Sequence, residues 1–384
     1  MEKRHLSITA ARHPFGNAPL RVDVSDLLTG GDMSGISLKD TATGKLTPTQ
    51  LMEESGRQIL YFAPDAISLG KAREYEVIMG MAPFGAGVEL VDVGGKVEVR
   101  IDGNICTAYV YGGDIVRPFL YPLIGPGEEG ITRNFPMVKD VTGESIDHKH
   151  HRSVWVAYGD VNGADDWSEE EGHASIKHRG FQEMISGPVF ARINTVNDWL
   201  DNKGKKLMEE FRTVTIYNLP KTGRMIDFRI KFRASEGDVR FGDTKEGGII
   251  SVRVATSMDG NKGGRITNAY GGVTEKETWG KPSHWCDYSG QVNGRMVGIA
   301  IFDNPRNFRY PTAWHVRDYG LFTANPFALS AYSGDPKVDG SHIVKAGESF
   351  SFAYRLYIHD GDAKAGGVAD QFHGYISPPT VEIK

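Results

Sequence analysis

The sequence predicts an all-β fold, a large antiparallel β-sandwich with long loops and few short helices. Three observations carry that expectation. Between Arg224 and Ala234, the apolar Ile226, Phe228, Ile230, Phe232 and Ala234 alternate with Asp227, Arg229, Lys231 and Arg233. Period-two alternation sets one face on a core and the other in water or against a site. Residues 96–112 hold two β-branched and aromatic runs joined through Asp102-Gly103, the strongest short hairpin signal. The 47 glycines and 18 prolines are dispersed, with no Ser/Gly-rich spacer, so they punctuate turns instead of linking domains.

Taken in order, residues 1–60 are mixed in character, interrupted by Gly30, Gly31 and Gly35, with 47–57 (TPTQLMEESGR) as a short helix. They are expected to be an extension or edge strands on a main body of 61–384, the whole of 1–384 counting as one sandwich domain. The β pattern sets in at Tyr61. A second hairpin runs from 211–219 through Pro-Lys-Thr-Gly into 224–234; 350–361 repeats the alternation, and 297–305 reads as a more deeply buried strand. Residues 362–376 form a weak helix, because Gly366 and Gly367 are poor helix formers. A connection from Pro118 to about Phe181 is too long for an ordinary loop, so it is functional or hides strands.

A formal charge of -5 argues against a nucleic-acid partner, whose phosphates select basic surfaces. Cys106 and Cys286 form no CxxC pair, which leaves a reducing compartment acceptable. The N-terminus lacks an apolar signal region, and no stretch reaches the ~18 apolar residues of a membrane span. A cytoplasmic protein, mature over its whole length, with no membrane partner, is expected.

The chemistry concentrates in 147–181, which sets five of the twelve histidines among aspartates, glutamates, arginines and two tryptophans. Burying such groups without partners costs several kcal/mol, so the stretch reads as the lining of a polar site. His148, His150 and His151 form an HxHH pattern. In an extended strand His148 and His150 would point the same way, as a pair of metal ligands does, so a divalent ion is one reading and a proton-transfer or hydrogen-bonding cluster the other. Lys245-Glu246 precedes two glycines; Trp314, His315, Arg317 and Asp318 gather in a third polar stretch; Arg117 and Arg133 arrive on the rigid Gly/Pro-rich segment before the histidines. Trp279 and Trp285 divide between core packing and a platform for sugar C–H faces. The acidic run Ser168-Glu169-Glu170-Glu171 reads as an exposed turn.

The strings RPFLYPLIGPG, ITRNFP, DHKHHRSVWVAYGDVNGADDW, IKHRGF, DTKEGG and WHVRDYGLFTANPF, in that order, resemble the DUF6807 family, also labelled the PmoA family. The methane-oxygenase sense of that label does not suit a chain without a spanning segment. The resemblance implies carbohydrate catabolism beside a sugar dehydrogenase of the Gfo/Idh/MocA type, and its β-rich character is similar to galactose-mutarotase-like supersandwiches. Where relatives have HPHH and DFW, this chain has Lys149 and Asp165-Asp166-Trp167, leaving open which aspartate faces the site.

A dehydrogenase that oxidises a sugar at C3 makes the C2 proton acidic. Elimination of the C1 oxygen then needs a base, a positive group at the enolate oxygen and an acid for the leaving group. The expected assignments are His150 or His151 as base, Lys245, Arg317 or a divalent ion at the enolate, and Glu246 or His315 as acid. Arg117, Arg133, Asp166, Trp167, His178, Trp314, Arg317 and Asp318 are expected to hold the sugar. The alternatives are a mutarotase or epimerase using the same imidazoles, a hydrolase pairing Glu246 with Asp318 or Asp166, and a non-catalytic sugar-binding protein. A homo-oligomer is compatible with each.

Overall fold

The structure, a computed structural model, describes residues 4–28, 35–80, 85, 87–219 and 223–384. Gly30, Gly31 and residues 220–222, expected to connect the second hairpin, lie outside that set.

Two eight-stranded antiparallel sheets dominate. The first runs Trp314–Val316, Leu321–Ala324, Gly247–Arg253, Val154–Tyr158, Phe119–Leu123, Asn104–Val110, Lys96–Ile101, Val88–Asp92. The second runs Ser175–Ile185, Phe190–Leu200, Lys206–Tyr217, Gly223–Arg233, Ser349–Asp360, Arg295–Asp303, Trp285–Val292, Arg265–Asn268. Alternate residues of the two sheets build one continuous core, with Val154, Val156, Ile250 and Val252 from the first and Val214, Phe228, Ile230 and Leu356 from the second. Each such side chain contributes roughly 1.5–3 kcal/mol on burial. The sandwich expectation therefore holds. The Asp102-Gly103 hairpin forms with both residues at positive φ (51° and 80°), the conformation a two-residue turn of this type requires.

A third layer covers part of the second sheet. His5–Thr9, Ala72–Met79, Ile36–Asp40 and Leu46–Thr47 join the C-terminal Thr380–Ile383 in a five-stranded sheet, and Leu20–Asp23, Arg57–Phe62 and Thr49–Glu54 make a three-stranded one. Their Leu6, Leu38, Leu60 and Phe62 pack with Phe190, Tyr217, Phe302 and Tyr357 in a second core. Strands thus begin at His5, well before Tyr61. The segment expected as a helix at 47–57 is a hairpin, with Leu51 opposite Leu60 across a Ser55-Gly56 turn at φ 52° and 77°. A helix that short gains little by itself, whereas the pairing buries both strands. At the other end the helix is confined to Val368–Ile376, and Gly367 starts it in a left-handed conformation (φ 63°) rather than weakening its interior.

The stretch from Pro118 to Phe181 contains the strands Phe119–Leu123 and Val154–Tyr158 and the start of Ser175–Ile185. Val154–Tyr158 is buried on both faces, so its sequence shows an apolar run without alternation. Among the described residues no helix is long and apolar enough to cross a membrane.

Candidate functional site

On the first sheet, Trp155, Ser251, Thr323 and His315 are cross-strand neighbours in one row. Their chain neighbours Val154, Val252, Phe322, Trp314 and Val316 face the main core, so this row belongs to the opposite face. Loops 124–153 and 159–174 lie over that face. Between loops and sheet is a hollow of about 350 Å³ lined by His148, His150, His151, Asp165, Trp167, Ser168, Lys245, Glu246, His315, Arg317, Tyr319 and Leu321.

Buried arginines give the loops their shape. Arg133 donates to the carbonyls of Phe135 (3.1 Å), Asp147 (2.8 Å) and His148 (2.8 Å), and Arg253 joins it on the Asp147 carboxylate at 2.7 Å. Arg117 donates to the carbonyls of Asp166 (3.1 Å), Trp167 (2.9 Å) and Ser168 (3.2 Å) and to Glu169 (3.2 Å), which also holds Arg152 bidentately at 2.8 and 2.7 Å. A guanidinium spreads five donors in a plane, which suits it to pin several loop carbonyls at once.

Three of the imidazoles, His150, His151 and His315, are held neutral. Burial, then the nearby Arg117 and His148, pushes His150 down to about 4, and its Nδ1 has no hydrogen-bond partner among the described residues. His151 is also forced well below the usual imidazole range, first by burial and then by His150 and Arg253. Its Nδ1 accepts from Arg253 Nη1 at 3.0 Å, so the neutral ring keeps its proton on Nε2. His315 is pushed down to about 4 by burial and by Arg317. Its Nδ1 donates to the Lys245 carbonyl at 2.5 Å while Nε2 accepts from Arg317 Nε at 3.2 Å, so both its nitrogens are engaged.

Opposite them lies Lys245-Glu246, an ion pair between adjacent side chains. Burial of Glu246 is outweighed by Lys245, which holds its carboxyl below the usual range. Close backbone approach fixes the pair: Gly159 N–H donates to the Glu246 carbonyl at 2.9 Å, and a Cβ on Gly159 would sit 2.4 Å from that oxygen. Arg317 is braced by Glu275 at 2.7 Å.

Of the residues singled out from the sequence, His148, His150, His151, Trp167, Lys245, Glu246, His315 and Arg317 meet at this hollow. The others do not. Arg117 and Arg133 are fully buried and spent on loop carbonyls, which leaves them positioning roles. Trp314 lies in the core with its indole N–H on Ser283 O, because alternation in a three-residue strand sends it away from His315. His178 sits among Tyr109, Tyr111 and Phe181 on the edge strand of the second sheet. Asp318 accepts from the backbone of Glu275 at 3.3 Å outside the lining. The open question about the two aspartates resolves in favour of Asp165, although its carboxylate caps Trp167 N (2.8 Å) and Ser168 N (3.0 Å); Asp166 is buried behind the loop, its carboxyl driven upward by burial. Glu169, expected on an exposed turn, is a buried counter-ion. Trp285 belongs to the second core, while Trp279 lies by Arg317, 5.8 Å from ring centre to guanidinium.

The extended geometry expected of His148 and His150 is absent: His148 has φ 41°, and His151 N–H closes a turn onto its carbonyl at 3.0 Å. Among the described residues no three His, Cys, Asp or Glu side chains converge as metal ligands. Sequence reading passed over Arg253, Tyr319, Glu275 and Asp147. Arg253 had a signal, a lone arginine between Val252 and Val254, where alternation puts it on the face of Ser251.

A family profile matches residues 96–373, described only as a family of unknown function, DUF6807. The chain belongs to the DUF6807 family. The DUF6807 region takes in both large sheets, apart from Val88–Asp92, and every residue of the hollow, and leaves out every strand of the third layer. No curated protein shows significant similarity to the chain. Among solved structures it is similar to a glycosyl hydrolase family 38 protein from Enterococcus faecalis (10% identity, TM-score 0.44, 100% of this chain and 47% of that one). It is similar also to an alpha-mannosidase from Enterococcus faecalis V583 (10%, 0.46, 100% and 46%). A galactose mutarotase related enzyme from Lactobacillus acidophilus is more distant (9%, 0.24, 71% and 97%). The chain spans about half the length of the first two.

Proposed function

We propose that this chain is a carbohydrate-active lyase that eliminates the C1 oxygen substituent from a sugar already oxidised at C3. The observation that carries the reading is the meeting of neutral imidazoles with a lysine, an arginine and a carboxylate around one polar hollow. A binding site has no need of so many proton-transfer groups.

The geometry narrows the roles. His150 is the base, because it is neutral at pH 7 and His315 has both nitrogens engaged. His151, with its proton on Nε2, donates to a substrate oxygen. Lys245 and Arg317 supply positive charge at the enolate oxygen. Glu246 is held ionised and the one proton of His315 is committed to the Lys245 carbonyl, so neither serves the leaving group. The imidazolium of His150 therefore returns it: the C2–H bond breaks to His150, a C1–C2 double bond forms, the C1–O bond breaks, and the departing oxygen takes the proton back. The products are an enone and a free hydroxyl compound. A sugar dehydrogenase of the Gfo/Idh/MocA type would supply the substrate. The hydrolase alternative is less well served: Asp318 lies outside the hollow, Asp166 is buried behind it, and Asp165, which does line it, has its carboxylate taken by Trp167 N, Ser168 N and Ser168 Oγ.

The test is incubation with 3-keto-glycosides and 3-keto-anhydrosugars while the enone absorbance is followed. Turnover abolished by His150→Ala supports the reading. Anomer exchange without enone would move the same residues to a mutarotase, and binding without either reaction would leave a sugar-binding protein.

A further inference from the structure

A cavity larger than this hollow lies elsewhere. It occupies about 750 Å³ on the outer face of the second sheet, under the N-terminal hairpin and beside the C-terminal helix. The sequence pattern builds it. In Lys206–Tyr217 and Gly223–Arg233 the residues Val214, Ile226, Phe228 and Ile230 face the main core, so Thr213, Thr215, Asp227 and Arg229 face the other way. Register lines up Arg192, Thr215, Asp227 and Arg355 across four strands, with Asn194, Thr213 and Arg229 in the next row on the same face, about 7 Å along. This polar face is wider than solvation of a sheet requires, and a cavity stands over it.

Its charge is one-sided. Five arginines line it, Arg21, Arg192, Arg229, Arg306 and Arg355, against two carboxylates, Glu54 and Asp227. Asp227 is taken by Arg355, which it meets bidentately at 2.6 and 2.8 Å. Glu54 is shared, at 3.0 Å from Arg21 and 3.5 Å from Arg192. Among the described residues Arg229 and Arg306 have no ion-pair partner. Three positive charges remain uncompensated in a chain whose formal net charge is -5, a concentration of one sign that draws anions into a cleft.

We infer that this cleft is a second ligand site, for a small molecule carrying a multivalent oxyanion, phosphoryl or polycarboxylate, gripped by Arg229 and Arg306 with help from Arg21 and Arg192. Guanidinium pairs recognise such groups through paired N–H donors. Tyr375 and the neighbouring Pro378, Pro379 and Val381 offer an apolar wall for the rest of the molecule. The site is independent of the lyase reading, being built on the other sheet.

The experiment is calorimetric titration of the full chain with inorganic phosphate, glucose 6-phosphate, citrate and neutral glucose at constant ionic strength. It is repeated on Arg229→Ala/Arg306→Ala, whose side chains are exposed and whose loss does not disturb packing, and on Lys245→Ala in the other hollow. Binding of at least one anion and not of glucose is expected, weakened at least about tenfold by the double variant and unchanged by Lys245→Ala. Preference for the phosphate probes or for citrate identifies which oxyanion is meant. No heat with any anion, or binding that survives the double substitution or disappears with Lys245→Ala, overturns the inference.

Discussion

Arg253 donates from Nη1 to Nδ1 of His151 across 3.0 Å, with both side chains buried. A guanidinium has no acceptor, so this one contact decides which imidazole nitrogen carries the proton. Arg253→Met keeps the length and removes the donor. Turnover of an oxidised sugar should fall by about a hundredfold. In histidine-selective ¹⁵N spectra, Nδ1 of His151 should lose its unprotonated signature. An unchanged tautomer in the variant would show that Arg253 does not set it.

The same burial sets the pH response. A base pushed down to about 4 stays neutral through the physiological range, so the acid limb of kcat/KM should fall near pH 4 and not near 6.5. Stability carries a matching signature at His315, also lowered to about 4. The unfolded ring takes up a proton as pH falls through 6.5 while the folded ring resists it. The stabilisation from neutral burial is thus complete above 6.5 and is lost on the way down to 4. Buried acids such as Asp303, raised to about 7 by burial, act in the opposite sense, so the whole-protein curve mixes both. The difference between wild type and His315→Gln isolates the histidine. It should move against the wild type by on the order of 3 kcal/mol between pH 7 and 4, measured by urea unfolding.

Glu169 is the shared counter-ion of Arg117 and Arg152. Glu169→Gln removes the charge and leaves the buried Arg117 and the half-buried Arg152 without their counter-ion. Unfolding free energy should drop by about 3–5 kcal/mol, read from the denaturant midpoint. Glu170→Gln, one residue on and exposed, should stay within about 0.5 kcal/mol of wild type.

Trp279, Lys245 and Arg317 border an open recess of about 510 Å³ that adjoins the hollow through the last two. A ring there suits the far end of a longer substrate. Trp279→Ala should raise KM about three- to tenfold on a disaccharide-sized substrate and leave kcat unchanged, with no effect on a monosaccharide.

Much of this was legible before any coordinates. The alternation at Ile226–Ala234 and the Asp102-Gly103 turn specify antiparallel pairing directly, because side-chain period and turn conformation are local properties. The meeting of His150, Lys245 and His315 was inferable from their shared chemistry, since polar groups that cannot sit in a core gather where a core ends. What escaped depends on partners distant in sequence. Glu169 looks exposed until Arg117 and Arg152 fold over it, and the 47–57 hairpin looks helical until Leu60 is opposite Leu51. Trp314 and His315 could have been separated in advance: adjacent residues of a strand face opposite ways, and only one of the two can line the hollow.

Gly159 shows how little room the arrangement allows. Its N–H holds the Glu246 carbonyl at 2.9 Å, and an added methyl would lie 2.4 Å from that same oxygen, a distance that forces backbone to move. The backbone that would move carries Lys245 and Glu246 and, through the Lys245 carbonyl, the proton on His315 Nδ1. Gly159→Ala should therefore cost about 1–3 kcal/mol of stability and reduce kcat at least about tenfold, because the cation and the carboxylate shift relative to His150. Gly130→Ala, with open space at its Cβ, is the control for a glycine lost without a clash and should leave both unchanged. If Gly159→Ala turns over at the wild-type rate while losing the expected stability, Lys245 and Glu246 lie outside the chemistry and the enolate charge is met by Arg317 alone.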